Sequence, residues 1–176
     1  DEESRQHFSG LCRHLDDTLR PQFVVTTQAT TPPIGLDAPR SENRTIDDVD
    51  DISLIDSSTN PTEEMHTMTI KEAIEAGRPT LVLFAVPGFC TSRLCGPEID
   101  IMRKLYPDWK DRVGFIHVEF YDDPGTNSKV TQAAQEWGLR TEPWFFLIDE
   151  EGKIAAKFEG PTAMAELVEA MTQVTQ

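Results

Sequence analysis

The stretch TLVLFAV, residues 80–86, constrains this chain more than any other segment. It is a near-continuous apolar run of strand length, rich in branched and aromatic residues, with no polar alternation. A strand of that kind needs cover on both of its faces. The sequence supplies the cover. Thr69-Ile70-Lys71-Glu72 forms a capping box ahead of Ala73, Ile74 and Ala76, and Gly77 and Pro79 close the segment as a short helix. PEIDIMRKLYPDW places Ile99, Met102, Leu105 and Tyr106 at helical spacing, with Pro97 suited to a first turn. VGFIHVEFY, 113–121, reads as a second strand. KVTQAAQEWG puts Val130, Ala133, Ala134 and Trp137 on one helical face and stops at Gly138. WFFLIDEEGKIAAKFEG reads as a hairpin turning at Asp149-Glu150-Glu151-Gly152, and AMAELVEAMTQV as a closing amphipathic helix. The order helix, β, α, β, α, hairpin, α gives a parallel first pair of strands with antiparallel additions. The expectation is an α/β sandwich on a mixed sheet, occupying residues 66–176.

Residues 1–65 differ. They carry a net charge of −9 out of −15 for all 176 residues, and their Pro, Ser, Thr and Asp lack long apolar periodicity. We expect an N-terminal helix, where Leu11, Cys12, Leu15 and Leu19 make an apolar stripe, followed by an extended acidic arm that wraps the domain without contributing a catalytic group. Phe23-Val24-Val25 and Ile52, Leu54 and Ile55 are its candidate anchors. Deleting residues 1–40 should then leave activity intact. DDVDDISLID lacks the Gly and Glu of a calcium loop and reads as a solvated acidic face. Asn43-Arg44-Thr45 is a formal glycosylation sequon of a kind common by chance.

The charge excludes broad classes of partner. Phosphate binding needs clustered Lys and Arg, and a net −15 opposes both nucleic acid and anionic lipid. No apolar run approaches a membrane span, and there is no signal peptide. The chain begins DEESRQHF without an initiator Met, read as a processed or trimmed front end with any export signal or membrane tether upstream.

Chemistry concentrates in FAVPGFCTSRLCGPEID, 84–100, which holds two of the three cysteines, Cys90 and Cys95, between a strand and a helix. On one continuous helix five residues rise about 7.5 Å and turn some 140°, whereas a disulfide needs Cα atoms within roughly 7 Å. Either 90–95 is an irregular loop with the helix starting near Gly96-Pro97, or oxidation unwinds the first turn. The cost of a mid-helix Pro favours the loop. His117, inside a strand, reads as a structural residue.

Three features together resemble the thioredoxin-like superfamily over about 66–176: the pair after the first central strand beside CGP (95–97), TEP (141–143) before the strand WFFLID, and the hairpin-plus-helix ending. PWFFLIDEEGKI is particularly similar to the extracytoplasmic TlpA and ResA branch. The resemblance implies a three-layer α/β/α sandwich with a central mixed sheet and a thiol-disulfide oxidoreductase acting through Cys90 and Cys95. It also implies a cis peptide at Pro143 facing the sulfurs, with Thr141, Glu142 and Trp144 binding substrate. A thiol- or disulfide-bearing protein partner, an upstream electron donor and an extracytoplasmic location follow from it, with no cofactor.

The departures leave alternatives open. Four residues separate the cysteines where the superfamily has two. Strand length makes Cys90 the nucleophile and Cys95 the resolving thiol; CGP instead puts Cys95 at the helix start and Glu98 in the usual second-Cys place. We lean to the first. The buried acid of thioredoxin is missing from TLVLFAV, so Glu98 or Glu142 or water would move protons. A structural disulfide in a non-catalytic binding module is one alternative. Another is an atypical peroxiredoxin-like peroxidase, to which PGFCTSRLC has some likeness although Pro87 replaces the expected Thr. No metal is expected: no His follows His117 to support copper, and four zinc ligands are not evident.

Overall fold

The computed structural model describes residues 29–90, 93–126 and 129–176. The stripe around Cys12 and the Phe23-Val24-Val25 anchor lie outside the described residues. Four helices, α1 (Ile70–Glu75), α2 (Cys95–Trp109), α3 (Gln132–Glu136) and α4 (Met164–Val174), accompany four strands, β1 (Thr80–Ala85), β2 (Gly114–Glu119), β3 (Trp144–Ile148) and β4 (Ile154–Glu159). The sheet order is β2-β1-β3-β4, with β1 and β2 parallel and the other pairs antiparallel.

Every residue of β1 is buried, and the strand period of two explains how. Val82 and Phe84 pack with Ile116, Val118, Phe146 and Ile148 against Ile70, Ala73 and Ile74 of α1 and Ala133, Ala134 and Trp137 on and beside α3. Leu81, Leu83 and Ala85 pack with Phe115, Phe145 and Leu147 against Ile99, Met102 and Leu105 of α2 and Leu167 and Met171 of α4. The result is a thioredoxin-like α/β/α arrangement.

Local chemistry sets the boundaries. The Thr69 hydroxyl accepts from the Glu72 N–H, and the Glu72 carboxylate accepts from the Thr69 N–H at 2.8 Å. Gly77, at φ 63°, ends the helix in a conformation glycine adopts without Cβ strain. α3 is shorter than the periodic pattern suggests, because Thr131 caps it by accepting from the Ala134 N–H, and Gly138 is left-handed at φ 64°. Pro107 falls in the last turn of α2, where a missing N–H removes only one helical bond.

Within 29–65 the regular structure is three 3-10 turns, Ile46–Asp48, Ile52–Leu54 and Glu63–Met65. The arm is firmly attached. Gly35 N–H and Ala38 N–H donate to Ile154 and Gly152, and the Ile154 N–H donates to Leu36. Arg103 of α2 reaches the Thr62 hydroxyl at 3.0 Å, the Ser58 hydroxyl at 2.6 Å and the Asn60 carbonyl. Of the three later anchor residues, Ile55 is buried, Ile52 is half-buried and Leu54 is exposed. Asn43 is buried and accepts from the Ile70 N–H at 2.8 Å, which removes it as a glycan acceptor. DDVDDISLID is solvated only in part: Asp47, Asp48, Asp50 and Asp51 are exposed, but Asp56 is 1 % exposed.

Candidate active site

β1 delivers the chain to the top of the sheet at Ala85, and Pro87-Gly88-Phe89 then turn it outward, with the Phe89 N–H donating to the Val86 carbonyl. Cys90 follows, half-buried. Arg93 takes the left-handed φ of 60° and its N–H returns to the Cys90 carbonyl at 3.2 Å. That conformation is uncommon for a residue with a Cβ, and it is the bend that folds Cys90 back over the next helix. α2 begins at Cys95, one residue before the expected start, with Pro97 in its first turn. Cys90 therefore lies outside the helix that Cys95 begins, which answers the five-residue spacing.

The Cys90 and Cys95 sulfurs lie 2.8 Å apart as thiols not joined in a disulfide, with Cys95 as the donor. A disulfide bond is about 2.05 Å, so less than an ångström of approach separates the dithiol from the bonded state. Cys95 is fully buried. Burial pushes its thiol far above the ordinary range, donation to Cys90 adds to this, and a hydrogen bond with the Val86 backbone opposes it. Cys95 is thus the buried sulfur of the pair and Cys90 the one that reaches the surface.

The loop before β3 closes the site. The Glu142–Pro143 peptide is cis, Pro143 is buried, and its carbonyl accepts from the Gly160 N–H. A Glu142 carboxylate oxygen and the two sulfurs all lie within 4.8 Å of one another. Burial raises the Glu142 carboxyl, while a hydrogen bond with Cys90 lowers it in part. Thr141 is exposed; its hydroxyl donates to Glu159 at 2.8 Å and accepts from the Trp144 indole N–H at 3.0 Å. Trp144 packs instead with the opposite cluster, its ring stacked on Phe146 at 5.6 Å. Of the expected residues, Cys90, Cys95 and Glu142 come together, Pro143 follows Glu142 through the cis peptide, and Thr141 and Trp144 engage one another. Glu98, in the first turn of α2, is buried; one carboxylate oxygen accepts from the Thr162 N–H and the other has no hydrogen-bond partner among the described residues.

Two participants were not legible as such in the sequence. Tyr121 has its phenol pushed up by burial and by the charges of Glu142, Cys90 and Cys95, so it lies within electrostatic reach of the site. Parallel register is the signal that could have found it: Ala85 pairs with Glu119, so the residues just past both strands share one end of the sheet. Ser57, in the arm, accepts from the Gly88 N–H at 3.0 Å and donates to Glu119 at 2.7 Å, tying the cysteine loop to β2.

Two groups of metal-capable side chains converge among the described residues: Cys90, Cys95 and Glu142 here, and Asp56, His66 and His117 beneath the arm.

Neither a protein-family model nor a curated protein sequence matches this chain. Solved structures do. A protein provisionally assigned as the thiol:disulfide interchange protein DsbE of Chlorobium tepidum aligns with TM-score 0.51 at 16% identity, covering 62% of this chain and 86% of that one. The dsbF protein of MTB aligns with TM-score 0.44 at 18% identity, over 56% of this chain and 82% of its own. Chloroplastic thioredoxin z aligns with TM-score 0.46 at 16% identity, over 60% and 86%. The first of these establishes the thioredoxin-like fold, and at such identity the likeness extends to fold alone.

Proposed function

Taking a thioredoxin-like fold with a cysteine pair at the start of α2 as the premise, we propose that the chain is a thiol-disulfide oxidoreductase working through Cys90 and Cys95. The observation that carries this reading is the 2.8 Å approach of a half-buried and a buried thiol beside the half-buried carboxyl of Glu142.

In the reducing direction, the Cys90 thiolate attacks one sulfur of a partner disulfide. That S–S bond breaks, its second sulfur leaves as a thiolate that takes up a proton, and Cys90 is held in a mixed disulfide. Cys95 then gives its proton to Glu142 or water and attacks the Cys90 sulfur, expelling the partner's first sulfur as a thiol. The partner gains two electrons and two protons, and the Cys90–Cys95 pair is left oxidised. A thiol donor upstream restores the dithiol by the same steps, and the reverse sequence oxidises a dithiol partner.

Glu142 serves both halves of the cycle. Its raised pKa brings it closer to neutrality, where a carboxyl can both accept and return a proton. Pro143 holds that carboxyl against the sulfurs, and Thr141 with Trp144 forms the neighbouring rim on which an extended partner would lie. The domain proper is 66–176, with 1–65 as an accessory arm. The likeness of PWFFLIDEEGKI to the TlpA and ResA branch supports an extracytoplasmic setting. No helix among the described residues is long and apolar enough to cross a membrane.

Reduction of insulin disulfides tests the proposal. The wild-type dithiol should turn over with a thiol donor, and Cys90→Ser should abolish turnover. Unchanged turnover in Cys90→Ser refutes it, and a pair inert to both insulin and small disulfides returns the chain to a static binding module.

A further inference from the structure

The arm and β2 enclose a second set of reactive groups that thiol exchange does not use. His117 projects from β2 on the α2 side of the sheet, and neither of its ring nitrogens has a hydrogen-bond partner among the described residues. Its Nδ1 faces an Asp56 oxygen at 3.8 Å and its Nε2 faces a Glu119 oxygen at 3.9 Å. His66, from the arm, places Nε2 at 3.3 Å from the other Asp56 oxygen, and its ring meets that of His117 edge to face at 5.2 Å. The His66 Nδ1 is buried without a partner among the described residues. Asp56, His66 and His117 are each 1 % exposed and Glu119 is 3 % exposed. The lone strand histidine of the sequence is thus one of two.

The two His117 gaps are too long for hydrogen bonds, and the His66 Nε2 contact with Asp56 is a hydrogen bond at the long end of the range. Direct bonds to nitrogen run about 2.7–3.2 Å, and buried polar atoms left unmet are costly. The gaps are close to right for ligands around an ion. Two donors each about 2.1 Å from a tetrahedral metal lie roughly 3.4 Å apart, and one ligating atom from each of Asp56, His66 and His117 falls within 4.8 Å of the others.

The surroundings have the form of an outer shell. Asp56 accepts from the Ser58 N–H at 2.9 Å and the Thr62 N–H at 3.2 Å, which fixes both of its oxygens. Glu119 is held by the Ser57 N–H and hydroxyl and stands at the far nitrogen of His117, where a carboxylate orients a ligating imidazole. A cavity of about 240 Å³, lined by His117, Glu119, Arg44, Ile55 and Asp122 among others, adjoins the cluster and offers an approach.

We propose that Asp56, His66 and His117 bind a divalent first-row transition ion of the zinc class, with Glu119 orienting His117. Two imidazoles and one carboxylate, with water in the remaining position, are a donor set such ions accept. Two ligands come from the arm and one from the sheet. The ion therefore fastens the arm to β2 and, through Ser57 and Gly88, steadies the cysteine loop.

The test uses the tag-free 176-residue chain carrying Cys12→Ser, Cys90→Ser and Cys95→Ser, so that no thiol can bind metal. After chelator treatment it is titrated with Zn²⁺ against a chromophoric chelator, and with Co²⁺ by absorption. One ion per chain is expected, with Co²⁺ ligand-field bands and no thiolate charge-transfer band. Saturating Zn²⁺ should raise Tm by about 5–10 °C at an ion concentration a hundredfold above Kd. His66→Gln should weaken binding at least tenfold, and His7→Gln with His14→Gln should leave it unchanged. Absence of stoichiometric binding, or binding indifferent to His66→Gln, overturns the proposal. Where His66→Gln does not fold, X-ray absorption of the Co²⁺ protein decides: two imidazole ligands support the site, and fewer than two overturn it.

Discussion

Gly88→Ala is the sharpest probe of how the arm and the cysteine loop cooperate. A Cβ at Gly88 would sit 2.2 Å from the Ser57 carbonyl oxygen and 3.1 Å from its carbon, both backbone atoms that no rotamer change can move aside. Ordinary contact needs about 3.4 Å or more, so the loop must retreat from the arm by roughly an ångström. The Gly88 N–H to Ser57 hydroxyl bond, 3.0 Å long, is then lost. Overpacking of this kind costs about 1–3 kcal/mol, a fall in Tm of roughly 2–12 °C for a chain of this size. Cys90 lies two residues on, and a 1 Å error in the position of a reacting group costs about a hundredfold in rate. We expect kcat/KM for disulfide reduction to fall about 10- to 100-fold. Gly96→Ala is the control: its Cβ meets nothing within 4 Å, and alanine in the first turn of α2 should raise stability by up to about 1 kcal/mol. Thermal melts and insulin-reduction rates on the two variants decide the matter. Wild-type rate and Tm in Gly88→Ala would refute the coupling.

Cys95→Ser should accumulate a covalent complex between Cys90 and a disulfide partner, visible by mass spectrometry and released by dithiothreitol; a complex formed through Cys12 instead would count against the assigned roles. Glu142→Gln removes a negative charge that raises the Cys95 thiol. Thiolate absorbance at 240 nm should then appear at lower pH in that variant, and an unmoved titration would show that the carboxyl does not sense the pair. Glu98 has its carboxyl raised by burial, so folding favours its protonated form; that contribution is present at acid pH and is lost as pH rises past the unfolded value of about 4.3 and through the folded one. Glu98→Gln should accordingly melt higher than wild type at pH 7 and lose the advantage near pH 4. Equal differences in Tm at both pH values would contradict this.

The layered fold was legible because its signals are local. TLVLFAV can only be a strand covered twice, the Thr69–Glu72 capping box and Gly152 mark their own turns, and each amphipathic helix declares its face over a few residues. Cys90 and Cys95, the pair at the candidate site, stood out for the same reason. Asp56 and His66 did not, because their meaning depends on His117, which lies 61 and 51 positions further along the chain. An arm without periodicity gives no hint of where it docks. Read alone, Asp56 belongs to an acid-rich surface run, and only the packing of Ile55 and Met65 turns it inward. Trp144 shows what proximity in sequence leaves out: it follows Pro143 directly, but the alternation of the strand packs its ring with the cluster on the other face of the sheet.

The hydrogen bonds between residues 35–38 and residues 152–154, with Lys157 held by Thr31 and Pro32, lay the arm along the outer border of β4. Strand borders left bare recruit strands from other molecules. Proteolytic clipping between residues 38 and 46 would peel that cover away. The clipped domain is expected to self-associate, which light scattering would register, and a clipped domain that stays monomeric would show that this border needs no cover.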